Sequence, residues 1–110
     1  MKHWTFTVPG TPVPKERPRL GRSNTYTPQR TKDYELLVAQ YALVAGVRPA
    51  PAGQPVSLRV WAYLKQPAAR STTDLSNVVK VVEDGLKVIA YADDRQITRL
   101  MAHKIQDRVN

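Results

Sequence analysis

The chain has 110 residues, no cysteine, and seventeen Lys and Arg against nine Asp and Glu, a formal net charge of +8 at pH 7. Its length fits one domain with its own core, and a hydrophobic content of 42% excludes a wholly disordered chain. Without cysteine and with only two histidines, thiolate and multi-histidine metal centres are excluded, so any metal would be a hard ion on oxygen ligands, such as Mg²⁺ or Mn²⁺.

The first predicted element is a strand over residues 3–8, where Trp4, Phe6 and Val8 alternate with threonines. This alternation leaves no continuous apolar signal segment, and no apolar run approaches the roughly 20 residues that cross a bilayer. Together with the absence of cysteine, these features predict a cytoplasmic protein with no membrane partner.

A proline-rich, basic loop follows, from Pro9 to Pro28. Its prolines and glycines prevent extended regular structure, and a loop this long within a small domain is usually functional. Because the net charge favours a phosphate-rich partner, one hypothesis is an arm that holds nucleic acid, with Tyr26 available to stack on a base. The alternative is a disordered, solvated loop. The cations assigned to phosphate contact are Lys15, Arg17, Arg19, Arg22 and Arg30.

Two helices and two strands alternate in the rest of the chain. Thr27-Pro28 is a typical helix start, with Thr as the cap, and Gly46 follows the end of the apolar stripe. We therefore predict one α/β (α+β) domain over residues 1–110, ordered β-α-β-α-β, with a small mixed sheet packed by two helices. The later elements are a helix to about Ala45, a strand over 56–64, a helix over about 74–89 and a strand over about 96–106.

Acidic residues gather in one window, where five of the nine lie between positions 74 and 94. On the second helix, polar residues spaced by three and four share one side, and the turn after that helix carries two more acids. Carboxylates from different elements, holding one or two divalent ions beside a lysine, meet the needs of phosphodiester hydrolysis. The alternative is a helix cap, a surface pair and an acidic turn. The residues concerned are Asp74, Asn77, Lys80, Asp84, Asp93 and Asp94.

Several stretches of the chain resemble one known family. They are Val-Pro-Gly-Thr-Pro-Val-Pro-Lys-Glu-Arg-Pro-Arg from Val8, Asp-Leu-Ser-Asn-Val-Val-Lys from Asp74, Glu-Asp-Gly-Leu from Glu83 and Tyr-Ala-Asp-Asp-Arg-Gln-Ile from Tyr91. Together they resemble the RusA-type Holliday junction resolvases over nearly the whole chain. The resemblance implies homodimeric endonucleases that depend on Mg²⁺ or Mn²⁺, need no organic cofactor, and nick four-way DNA junctions symmetrically in recombination and repair. Such proteins are commonly encoded by prophages.

The resemblance also implies roles for single residues. By position, Asp74, Lys80 and Asp94 match the family's catalytic residues. Asp74 and Asp94 match its metal-binding carboxylates, and Asp93 matches the first member of the aspartate pair. Asn77 matches the asparagine of the motif, which we assign to DNA contact.

One position departs from the family pattern, because Ser76 stands where the family has a second aspartate. Serine is a neutral and weaker ligand at this metal position. Either Asp93, Glu83 or a water takes its place, or activity is reduced or lost. We therefore expect a Mg²⁺-dependent crossover junction endodeoxyribonuclease. The alternative is a structure-selective DNA-binding protein of the same fold with little or no catalysis, and a third reading is a basic adaptor that binds protein.

Overall fold

The computed structural model describes residues 2–15, 19–20, 25–26, 28–65 and 73–106, and for residues 19–20 and 25–26 it describes the backbone alone. It shows a small α+β domain with two helices and a two-stranded parallel sheet. Strands β1 and β2 form a separate antiparallel pair, whereas β3 and β4 run parallel. The elements are β1 (Arg19–Leu20), β2 (Thr25–Tyr26), α1 (Gln29–Val44), β3 (Val56–Leu64), α2 (Leu75–Leu86), a 3₁₀ helix (Asp94–Gln96) and β4 (Ile97–Gln106). Within these ranges, no helix is long and apolar enough to cross a membrane.

The N-terminal segment differs from the predicted order. Residues 3–8 form no strand, although Phe6 and Val8 pack partly buried against the core. Alternating apolar residues indicate a half-buried extended segment, but they do not supply a neighbouring strand for it to pair with. Among the described residues the larger sheet is therefore purely parallel and has two strands, in place of the predicted mixed sheet.

The predicted proline-rich loop contains the short β1–β2 pair. Residues 16–18, 21–24 and 27 of this loop lie outside the described residues, as do residues 66–72 after β3. Helix α1 begins at Gln29, with Pro28 as its N-cap and no side-chain cap hydrogen bond. The predicted cap, Thr27, is not among the described residues. The end of α1 is confirmed within one residue, and Gly46 follows with φ +87°, in the left-handed region that favours glycine.

The second half of the chain follows the predicted elements closely. The strand over 56–64 is confirmed, with Val60, Ala62 and Leu64 buried on one face. Helix α2 packs Val78 against Val60 and Ala62, so it covers the inner face of the sheet. Helix α1 contributes the buried Val38 and Ala42, and the core lies between the helices and the sheet.

The two helices approach each other most closely at Gly85. A Cβ atom at this position would lie 2.8 Å from the backbone oxygen of Glu35 and 2.9 Å from the Cβ of Val38. Real Cβ atoms essentially never come this close, so α1 would have to move away from α2. The glycine in the Glu-Asp-Gly-Leu stretch therefore permits the close contact between α1 and the part of α2 that contains Glu83 and Asp84.

Substituting Gly85 with alanine should destabilise the fold by about 1–2 kcal/mol. Overpacking typically destabilises a protein by about 1–3 kcal/mol, and the higher helix propensity of alanine offsets part of this loss. Urea denaturation would measure the change. Gln40→Ala, at an exposed position of α1, is the matched control and should change stability little. A Gly85→Ala protein as stable as the wild type would contradict the close packing described here.

Candidate active site

Asp74 caps the N-terminus of α2. This residue is the N-cap, with extended backbone angles, and its Oδ1 accepts a hydrogen bond of 2.9 Å from the backbone N–H of Ser76. The predicted capping role is therefore present. Because a carboxylate has two oxygens with several acceptor positions, capping leaves Asp74 able to bind a cation as well. Both Asp74 and Ser76 are exposed, and Asn77 is half-buried.

The C-terminal half of α2 forms an acidic site around Glu83. Burial raises the pKa of this carboxyl, and the negative charges of Asp94 and Asp84 raise it further, while Lys80 acts in the opposite direction. The negative charges of these neighbouring carboxyl groups produce a local potential that attracts cations. Sequence reasoning named Glu83 only as a substitute ligand. Glu83 lies one helical turn beyond Lys80, and this spacing could have indicated that it belongs to the candidate site.

Tyr91 connects the C-terminal end of α2 to the segment that carries Asp93 and Asp94. Its side chain is fully buried, and its hydroxyl donates a 2.6 Å hydrogen bond to the backbone oxygen of Glu83. That oxygen belongs to the last turn of α2, where carbonyls lack helical partners. Burial, followed by the charge of Glu83, raises the pKa of Tyr91. The chain turns at Val88, whose φ of +75° lies in the left-handed region and is strained for a β-branched residue.

The predicted metal ligand Asp93 is engaged by its neighbour Arg95. Its Oδ1 accepts from the Arg95 backbone N–H at 2.9 Å, and its Oδ2 accepts from Nη2 at 2.7 Å and Nε at 3.0 Å. The side-chain and backbone hydrogen bonds from Arg95 hold the pKa of Asp93 well below its usual range. A metal ion would compete with Arg95 here, whereas Asp94 is exposed at the start of the 3₁₀ helix. Metal binding by Asp93 stays a prediction.

Gln96 fixes the position of the aspartate pair. Its Oε1 accepts from the backbone N–H groups of Ala92 at 3.0 Å and Asp93 at 3.2 Å. Its Nε2 donates to the backbone oxygens of Pro51 at 3.0 Å and Gln54 at 3.2 Å. The side chain is buried, and all its hydrogen-bonding groups are used. The glutamine of the Asp-Asp-x-Gln pattern thus has a structural role that sequence reasoning missed.

The oxygen ligands present fit a hard divalent ion, although they form no complete cage. Within the described ranges, no group of three or more His, Asp or Glu side chains lies close enough to hold a metal. Asp74 precedes Glu83 by nine residues, which is about 13 Å along the helix axis. Mg²⁺ is usually bound by one or two carboxylates together with waters and substrate phosphates. The donors near α2 meet that smaller requirement.

The predicted cation Lys15 lies against the helices. Its Nζ is 2.6 Å from Asp84 Oδ2 and 3.4 Å from Glu35 Oε2, and its backbone N–H donates to the backbone oxygen of Asn77 at 2.9 Å. Burial lowers the pKa of Lys15, but the hydrogen bonds and charges of the two carboxylates outweigh it, so the pKa is raised. Lys15 therefore links the N-terminal segment to both helices, and its phosphate contact stays a prediction.

The other predicted DNA contacts are placed only in part. Arg30 is exposed in the first turn of α1. The backbone of Arg19 forms part of β1. Arg17 and Arg22 lie outside the described residues. Their roles in DNA binding stay predictions.

These features define a small, basic α+β domain that gathers carboxylates and a lysine at one helix, the composition used by metal-dependent nucleases. The family model Endodeoxyribonuclease RusA matches residues 9–110, so the chain belongs to the RusA endodeoxyribonuclease family. The predicted family resemblance is confirmed. Membership implies a nuclease that acts on Holliday junctions. Neither the curated proteins nor the solved structures gave a match.

Proposed function

We propose that this protein is a homodimeric, Mg²⁺- or Mn²⁺-dependent endodeoxyribonuclease that resolves four-way junctions by paired symmetric nicks. The observation that carries the proposal is the family match over residues 9–110 in a chain that keeps Asp74, Lys80 and Asp94 of the motif. RusA-family nucleases generally depend on a divalent metal. The net charge of +8 suits a polyanionic substrate.

In this proposal the carboxylates of Asp74 and Asp94 bind the metal ion. A divalent ion held by these carboxylates would supply a bound water of lowered pKa and would neutralise charge on the phosphate in the transition state. Glu83 supplies a further negative charge near Asp94. The ammonium of Lys80, which lies within electrostatic reach of Glu83, stabilises charge on the scissile phosphate.

Paired nicking explains why the proposed enzyme is a homodimer. A four-way junction has two-fold symmetry, and a closed dimer presents two equivalent active sites to it. Nicks at symmetric positions in opposite strands then follow from the geometry of the dimer. The host process would be recombination and repair.

The decisive experiment incubates a labelled four-way junction with the protein, with and without Mg²⁺ or Mn²⁺. We expect paired nicks on a denaturing gel only with metal, and no cleavage of a linear duplex of the same arm sequence. A salt-sensitive band shift that never yields nicks would instead favour the structure-selective binding protein. Little junction affinity at physiological salt would favour the basic adaptor.

Ser76→Asp tests the departure from the family pattern. The added carboxylate should lower the Mg²⁺ concentration required for half-maximal cleavage by roughly 10-fold, since even groups that only support metal ligands change affinity by about 10–100-fold. A Mg²⁺ titration of the cleavage rate would measure this. Gln40→Asp, exposed on α1, adds the same charge elsewhere and should leave the metal requirement unchanged. If Ser76→Asp gains nothing, position 76 is not a ligand in this chain.

A further inference from the structure

The sheet has an outer face that the helices do not cover. Along β3, Val60, Ala62 and Leu64 are buried while the residues between them are exposed. Successive side chains of a strand point to opposite faces, and paired residues of neighbouring strands share a face. The parallel register therefore adds β4 side chains to the same outer face. The outer-face pairs are Ser57 with Arg99, Arg59 with Met101, Trp61 with His103, and Tyr63 with Ile105.

Large aromatic and apolar side chains are exposed on this outer face. The exposed fractions are 45% for Trp61, 51% for Tyr63 and 50% for Met101. Parallel sheets are normally covered on both faces, and contiguous exposed apolar surface commonly marks a binding site. Because α2 packs on the opposite face, the outer face is separate from the acidic site around Glu83.

The charge of the outer face favours a polyanionic occupant. Strands β3 and β4 contain no Asp or Glu, whereas Arg59 and Arg99 lie on the outer face. A second copy packed on this face would bring arginines together with no strand carboxylate to pair with them. A phosphate backbone neutralises the arginines, and bases stack on the aromatic rings.

We propose that the outer face of the β3–β4 sheet binds single-stranded nucleic acid. Trp61 and Tyr63 are two residues apart, so their side chains are separated by about 6.6 Å along the strand, a spacing that lets neighbouring bases of an extended strand stack on them in turn. Arg59 and Arg99 bind the phosphates of the same strand. Base stacking tolerates any sequence because every base has a π-face. Binding here does not depend on metal or on cleavage.

The test uses the full chain in EDTA. The protein has two tryptophans, so a Trp4→Phe background leaves Trp61 as the single tryptophan, which is excited selectively over tyrosine. Titration with a single-stranded oligo-dT should quench Trp61 in a saturable, salt-dependent manner. In the native background, Trp61→Ala should weaken binding about 10-fold, and Trp61→Phe should retain most of it. Oligo-U in place of oligo-dT shows whether the face accepts either sugar.

The matched control is Leu36→Ala, which removes an exposed apolar side chain from α1. It should leave oligo-dT affinity unchanged. Circular dichroism and the thermal midpoint of each variant report whether it folds. The proposal is overturned if folded Trp61→Ala binds oligo-dT like the wild type, or if saturating oligo-dT leaves Trp61 fluorescence unchanged. It is also overturned if sedimentation shows that Trp61→Ala separates a dimer without changing oligo-dT affinity, which would assign the face to self-association.

Discussion

Asp74→Asn should strongly reduce junction cleavage while leaving the fold and junction binding intact. Asparagine is about as good an N-cap as aspartate, so its side-chain oxygen can still accept from the Ser76 N–H at the start of α2. The substitution removes the negative charge that would bind the metal ion. Loss of one preorganised electrostatic contact in an active site typically reduces the rate by about 10²–10³-fold. A fall of at least this size is the expected result.

Single-turnover cleavage of a four-way junction in Mg²⁺ would measure the effect. A band shift in EDTA would measure binding, which should not weaken because the protein becomes more positive. Asp33→Asn is a matched control, because Asp33 is an exposed acid of α1 whose Oδ1 accepts from Gln29. The control should cut like the wild type. Asp74→Asn that binds junctions and also cuts at the wild-type rate would exclude Asp74 from the catalytic site.

The elements of the second half were predictable because each carries a strong local signal. The strand at Val56–Leu64 alternates strictly, and α2 has an Asp cap followed by an apolar stripe. The segment at residues 3–8 carries the same alternation but pairs with no described strand. Pairing depends on which segment lies alongside, and a pattern within one segment does not contain that information.

The candidate site was predictable in its chemistry more than in its geometry. The motif predicts roles for Asp74, Lys80 and Asp94 that stay predictions, whereas capping by Asp74 was an open alternative that the structure confirms. Sequence spacing did not show that Arg95 binds both oxygens of Asp93, or that Lys15 binds Asp84. These contacts join charged residues that many turns and loops carry, so only their arrangement in space distinguishes them.

Gln96→Glu should destabilise the protein by at least about 3 kcal/mol at neutral pH. The variant keeps the oxygen that accepts from the Ala92 and Asp93 N–H groups. It replaces the amide nitrogen that donates to Pro51 and Gln54 with an oxygen, so a buried carboxylate faces two carbonyl oxygens. Burial and the facing carbonyls favour the protonated carboxyl, so its pKa in the folded state should exceed the ordinary value of about 4.3.

The sign of the pH dependence follows from this raised pKa. The protonated carboxyl is favoured in the folded state, so the destabilisation should be smallest below about pH 4 and grow as pH rises. Urea denaturation of Gln96→Glu and wild type at acidic and neutral pH would measure it. Gln40→Glu, exposed on α1, introduces the same group without burial and should show little change. Because Gln96 positions the turn that carries Asp94, junction cleavage should fall with stability at neutral pH. A Gln96→Glu protein as stable as the wild type at pH 7 would show that the four hydrogen bonds of Gln96 do not hold this turn.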